Sequence, residues 1–121
     1  MKQTINYPYK FMDSKTETLG NNKNRMDLYS YSGELNIDSL KMFCKEHKEK
    51  FLSGTFYFLV IFDNVENVIF PTNPFTAEYG IDEEPQKHIK ALYTFNRLNG
   101  YSKLDYYENN KWESVANSVD I

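Results

Sequence analysis

The chain has 121 residues, a net charge of −3 and a single cysteine, Cys44. That length suits one domain with one core, and a lone cysteine excludes an intramolecular disulfide framework and fits a reducing compartment. The longest apolar run, Phe56–Phe62, is far short of the roughly 20 residues a membrane span needs, and no apolar leader follows Met1, so the chain is read as cytoplasmic.

Residues 1–25 form the first unit of the reading, an N-terminal arm or edge strand followed by a polar loop. Thr4–Met12 can run extended, with Pro8 excluding a central position in a sheet. Asp13–Arg25 is polar, contains Gly20-Asn21-Asn22 and reads as a long loop.

The body, residues 26–115, is expected to be a single α+β domain. Met26–Ser32 alternates as a first strand, with Met26 and Leu28 on one face and Tyr29 and Tyr31 on the other. Asn36 caps a helix over about 37–52, whose apolar stripe is Ile37, Leu40, Phe43, Cys44, His47 and Phe51. After Gly54 comes the run Phe56–Phe62, seven apolar residues of which four are aromatic, the pattern of a strand buried on both faces.

Asp63–Asn67 turns this strand into a short partner, Val68-Ile69-Phe70, stopped by Pro71. Residues 71–80 form an irregular aromatic and proline loop. Asp82-Glu83-Glu84-Pro85 starts a helix that runs to about Leu98, with acids over the positive end of its dipole and proline in its first turn. A hairpin over 103–115 turns at Asn109-Asn110, and residues 116–121 are read as a frayed tail.

The resulting order, β-α-β-β-α-β, predicts a ferredoxin-like (split βαβ) or related sheet, mainly antiparallel, with two helices on one face. That arrangement puts the most apolar strand at an edge, which natural sheets avoid exposing. A homodimer, or the N-terminal arm folded across the back, is expected to cover it.

No phosphate-cradling glycine loop, metal-binding helix signature, nucleophile elbow or paired-cysteine motif is present in the sequence. Cys44, His47 and His88 are too few for a zinc site without carboxylates. Cys44 and His47, three apart on one helix, could form a nucleophile pair, but both lie in an apolar stripe, which favours a buried, inert thiol. Neither a cofactor nor a metal is expected. Residues 1–25 hold five basic side chains (Lys2, Lys10, Lys15, Lys23, Arg25) against Asp13 and Glu17, so the remainder is acidic, and the chain has only two arginines. Nucleic-acid surfaces need clustered Lys and Arg, so nucleic-acid binding is a remote alternative.

The outlying feature of the composition is ten tyrosines and nine phenylalanines, residue types that carry much of the energy of protein contacts. The first expectation is therefore a non-enzymatic interaction or regulatory module with a protein partner. Its contact residues would be Tyr29, Tyr31, Phe75 and Tyr79, then Tyr106, Tyr107 and Trp112. The alternative is a small-ligand-binding protein or cofactor-free enzyme of dimeric α+β barrel type, with Tyr29, Tyr31, Tyr57 and Trp112 lining the cavity. A closed pocket above roughly 300 Å³ with convergent polar groups would favour that alternative, and a filled core with a flat tyrosine-bearing surface the interaction reading.

Overall fold

The computed structural model describes residues 7–71, 83–108 and 115–121. Six strands form one mixed sheet in the order β1-β2-β3-β4-β5-β6: Lys10–Leu19, Asn22–Ser30, Phe56–Phe62, Ile89–Asn96, Ser102–Tyr106 and Asn117–Asp120. Helix α1 (Ile37–Lys50) links β2 to β3, which run parallel; every other pairing is antiparallel. The fold is α+β.

Sequence order and spatial order coincide, so the sheet does not confirm the expected split βαβ topology. In that topology a third strand separates the two that flank the helix, whereas β2 and β3 are neighbours. β3 is consequently an interior strand. Tyr57, Leu59 and Ile61 pack under α1 with Leu40, Phe43, Cys44, Tyr29 and Tyr93. Phe58, Val60 and Phe62 meet Met26, Leu28, Ile89 and Tyr107 on the other face, with Val68 and Phe70 packed against them. Both faces of the apolar run are covered within one chain, which removes the reason for invoking a second copy.

Four local expectations need correction. Residues 13–25 are not a loop but most of a hairpin, joining β1 to β2 through Gly20-Asn21. Gly20, at φ 60°, holds the first central position, where a type II′ turn puts glycine. The polar composition that suggested a loop belongs to an edge strand, which solvates one side and resists pairing with other chains through its charges and the bulge at Phe11/Asp13. Val68–Phe70 is not a strand; it packs as an irregular segment on the sheet.

The helix expected over 83–98 is a single turn, α2 (Glu83–Lys87), and β4 begins two residues later. His88, Ala91, Leu92 and Phe95 fit a helical stripe, but Ala91, Tyr93 and Phe95 fit a strand equally well. The open flank of β3 decides between them, because its backbone groups need a partner. Among the described residues, only α1 is therefore a helix of several turns on a sheet face. The tail is also ordered: β6 pairs with β5, and Val119 packs at the margin of the core. Among the described residues no helix is long and apolar enough to cross a membrane.

The end of α1 and the start of β3 are fixed by polar contacts to β2. Thr55 N–H donates to Lys23 O at 2.7 Å, and Phe56 N–H to the buried Asn24 Oδ1 at 3.2 Å. Gly54, at φ 114°, permits this approach, since a Cβ there would sit 2.8 Å from Lys23 O. This stitching sets β2, β3 and the last turn of α1 around one point, and the site is found there.

Candidate functional site

Alternation along β2 places Arg25, Asp27 and Tyr29 on the face that carries α1, and Tyr57 follows beside them as the register partner of Arg25. The last turn of α1 contributes His47 and Lys50, and its C-cap contributes Phe51. Phe11 comes from β1, opposite Tyr29. Together they line a cavity of about 330 Å³ between the helix end and the sheet.

The polar centre is Asp27, whose side chain is 5% exposed. Three donors converge on it: Ser14 Oγ (2.5 Å) and Arg25 Nε (2.9 Å) on Oδ1, and the Tyr57 hydroxyl (2.6 Å) on Oδ2. A charge buried this deeply is tolerated because it is so fully hydrogen-bonded. Burial pushes the Tyr57 phenol well above its ordinary range, and the Asp27 charge adds to the effect. Tyr29 is pushed up to about 12, again by burial first and Asp27 second. Both phenols are therefore neutral hydrogen-bonding groups at physiological pH rather than bases or nucleophiles.

The orientation of His47 follows from its neighbours. Nδ1 lies 2.8 Å from Phe43 O, and a carbonyl only accepts, so Nδ1 carries a proton. In the neutral ring Nε2 is then the acceptor, and Tyr29 donates its hydroxyl proton to it across 2.9 Å. Both ring nitrogens are engaged, which leaves His47 unavailable as a base for Cys44. That thiol is fully buried and is pushed up to about 12 by burial, so the Cys44–His47 nucleophile option loses its chemistry.

A second cluster lies where β3 ends and β4 begins. His88 Nδ1 is 2.7 Å from Asp63 Oδ1, and its Nε2 is 3.5 Å from Glu84 Oε1. Burial opposes protonation there, but the two carboxylates outweigh it and raise the pKa of His88. A crevice of about 390 Å³ lies nearby, between Pro8, Ser30–Ser32 and Asp63–Val65. Its charged lining among the described residues is Asp63, already paired with His88. No group of three His, Cys, Asp or Glu side chains among the described residues is placed to hold a metal.

The expected contact residues do not form one surface. Tyr29 is buried in the α1-side core, and Tyr107 is buried on the opposite face, with their rings packed inside the chain. Tyr106 is half-buried at the margin of the α1-side core. Tyr31 is half-buried too, donates its hydroxyl to Glu34 O at 2.9 Å and lines the crevice. Phe75, Tyr79 and Trp112 lie outside the described residues. Of the four aromatics expected to line a cavity, Tyr29 and Tyr57 share the one beside α1. The polar members Arg25, Asp27, His47 and Lys50 were not anticipated there. The available signal was Asp27 itself, an acid in mid-strand between apolar neighbours.

No protein-family model matches the chain, and neither a curated protein nor a solved structure resembles it significantly.

Proposed function

We propose that the protein is a small-ligand-binding protein whose site is the cavity at the C-terminal end of α1. The observation that carries this reading is convergence. Two cations, a buried carboxylate with three donors, two neutral phenols and an imidazole meet in one aromatic-walled cavity of about 330 Å³. Ligand pockets combine apolar walls with a few fixed polar groups in this way, and this one sits at the small end of their usual range of roughly 300–1,000 Å³. The cavity lies between helix and sheet of one chain, so the reading needs no barrel of two subunits.

Binding is favoured over catalysis because the potential acid–base groups are committed. Tyr29 and Tyr57 are held neutral, His47 is bonded at both nitrogens, and the Cys44 thiol is buried. For the interaction reading, Tyr29 and Tyr107 are buried, and Phe75, Tyr79 and Trp112 lie outside the described residues.

The test is a screen of small aromatic compounds by amide chemical-shift mapping on the full chain. Binders are expected to move the signals of residues 25–29, 47–51 and 57 as one group. Binders that consistently map elsewhere, or none at all in a diverse library, would refute the assignment.

A further inference from the structure

We propose that the ligand is a small planar aromatic anion, held with its negative charge between Arg25 and Lys50. This rests on the ligand-binding reading above and adds the chemical class. It follows from counting which hydrogen-bonding valences remain open.

Asp27 has about four acceptor positions on its carboxylate, and three are filled from within the chain. It can offer an incoming cation very little. Arg25 spends Nε on Asp27 and, among the described residues, its side chain makes no other hydrogen bond, so its two terminal nitrogens remain as donors. The Lys50 ammonium has no carboxylate partner among the described residues, whereas Lys48 on the same helix turn donates to Ile121 O. The open valences around the cavity are thus predominantly those of cationic donors.

Charge points the same way. Arg25 and Lys50 bring two positive charges against the single negative charge of Asp27. The C-terminal end of α1 opposes an anion with roughly half a charge, which leaves the balance positive. Two of its last carbonyls, His47 O and Lys48 O, are already taken by the Phe51 N–H. A positive cavity on a chain of net charge −3 is a local departure from the rest of the molecule.

The walls set the rest of the class. Phe11 stands edge-on to Tyr29 with ring centroids 5.5 Å apart, and Phe51 lies 5.4 Å from Tyr57. Aromatic walls favour a flat aromatic body, which can stack or meet them edge-to-face. Arg25 adds a planar donor fork suited to a carboxylate.

Three probes of one size separate the outcomes: benzoate, benzyl alcohol and benzylamine, titrated into the full chain at low ionic strength with amide shifts as readout. Benzoate is expected to move residues 25–29, 47–51 and 57 and to bind roughly tenfold or more tightly than benzyl alcohol, with benzylamine weakest. Arg25→Gln and Lys50→Gln should each lower benzoate affinity several-fold and leave benzyl alcohol unaffected; Lys50→Gln breaks no hydrogen bond among the described residues. If benzyl alcohol or benzylamine binds in the cavity as well as benzoate does, the anion assignment is wrong while the cavity remains a binding site. If benzoate binds but neither variant weakens it, the two cations are solvated surface charges and the proposal falls. If the compound screen gives cavity binders and benzoate is not among them, the class is wrong and the site stands; failure of both removes the site as well.

Discussion

Removing the Tyr57 hydroxyl tests the polar centre of the cavity most cleanly. In Tyr57→Phe the ring keeps its packing, and Asp27 keeps Ser14 and Arg25 but loses the donor 2.6 Å from Oδ2. A hydrogen bond to a charged group contributes about 1.5–3 kcal/mol, and this one is buried, so the loss should fall within that range. For a chain of this length, about 3–6 °C per kcal/mol converts it to a drop in Tm of about 5–18 °C. Asp27→Asn keeps the shape but turns an amide toward Tyr57, whose hydroxyl proton then lacks an acceptor. Its cost should be about 2–4 kcal/mol, below that of a fully buried pair because the Arg25 side chain remains 47% exposed. The double variant should be less destabilised than the sum by about 1–2 kcal/mol, since the substituted ring carries no hydroxyl to orphan. Urea unfolding followed by circular dichroism measures all three. Additivity within about 0.5 kcal/mol, or a Tyr57→Phe variant as stable as the parent, would refute the reasoning.

Two pH dependences follow from the shifted groups. Tyr29 and Tyr93 are pushed up to about 12, Tyr57 is raised too, and the Cys44 thiol reaches about 12 from an ordinary value near 9. Above about pH 9 the unfolded chain therefore binds fewer protons than the native one, so their stabilisation is full below that pH and declines as pH rises toward 12. Urea midpoints should fall steadily over that window, whereas unchanged midpoints, with all ten tyrosines ionising together near 10 in an ultraviolet titration, would contradict the burial argument. His88 has the same sign at lower pH: its raised pKa gives stability that is complete below about 6.5 and is lost as pH rises through the folded value. His88→Asn should cost more at about pH 5.5 than at about pH 8; an equal cost at both would mean that Asp63 and Glu84 do not hold the charged ring.

The parts of this fold legible in the sequence were those where a local signal had no competitor. Asn36 caps α1 as its side chain suggested, accepting from Ser39 N–H at 3.0 Å, and the apolar run is β3 at nearly the expected bounds. The failures share a physical cause. β1 is a solvated edge, so its composition is that of a loop, and only its pairing with β2 makes it a strand. β4 carries a pattern compatible with both helical and strand periods, and the need to pair β3 resolves it. The cavity was half visible for the same reason. Tyr29 and Tyr57 could be nominated from their type, but Arg25, Asp27, His47 and Lys50 converge only because β2 and β3 are adjacent and α1 ends above them.

We propose that this convergence receives a small anionic ligand. Crystals of the full chain grown with benzoate test it most directly. The aromatic ring is expected between Phe11 and Phe51, with carboxylate oxygens within about 3.2 Å of Arg25 and Lys50 nitrogens. An empty cavity at saturating benzoate, or a ring bound there with its carboxylate turned away from both cations, would contradict it.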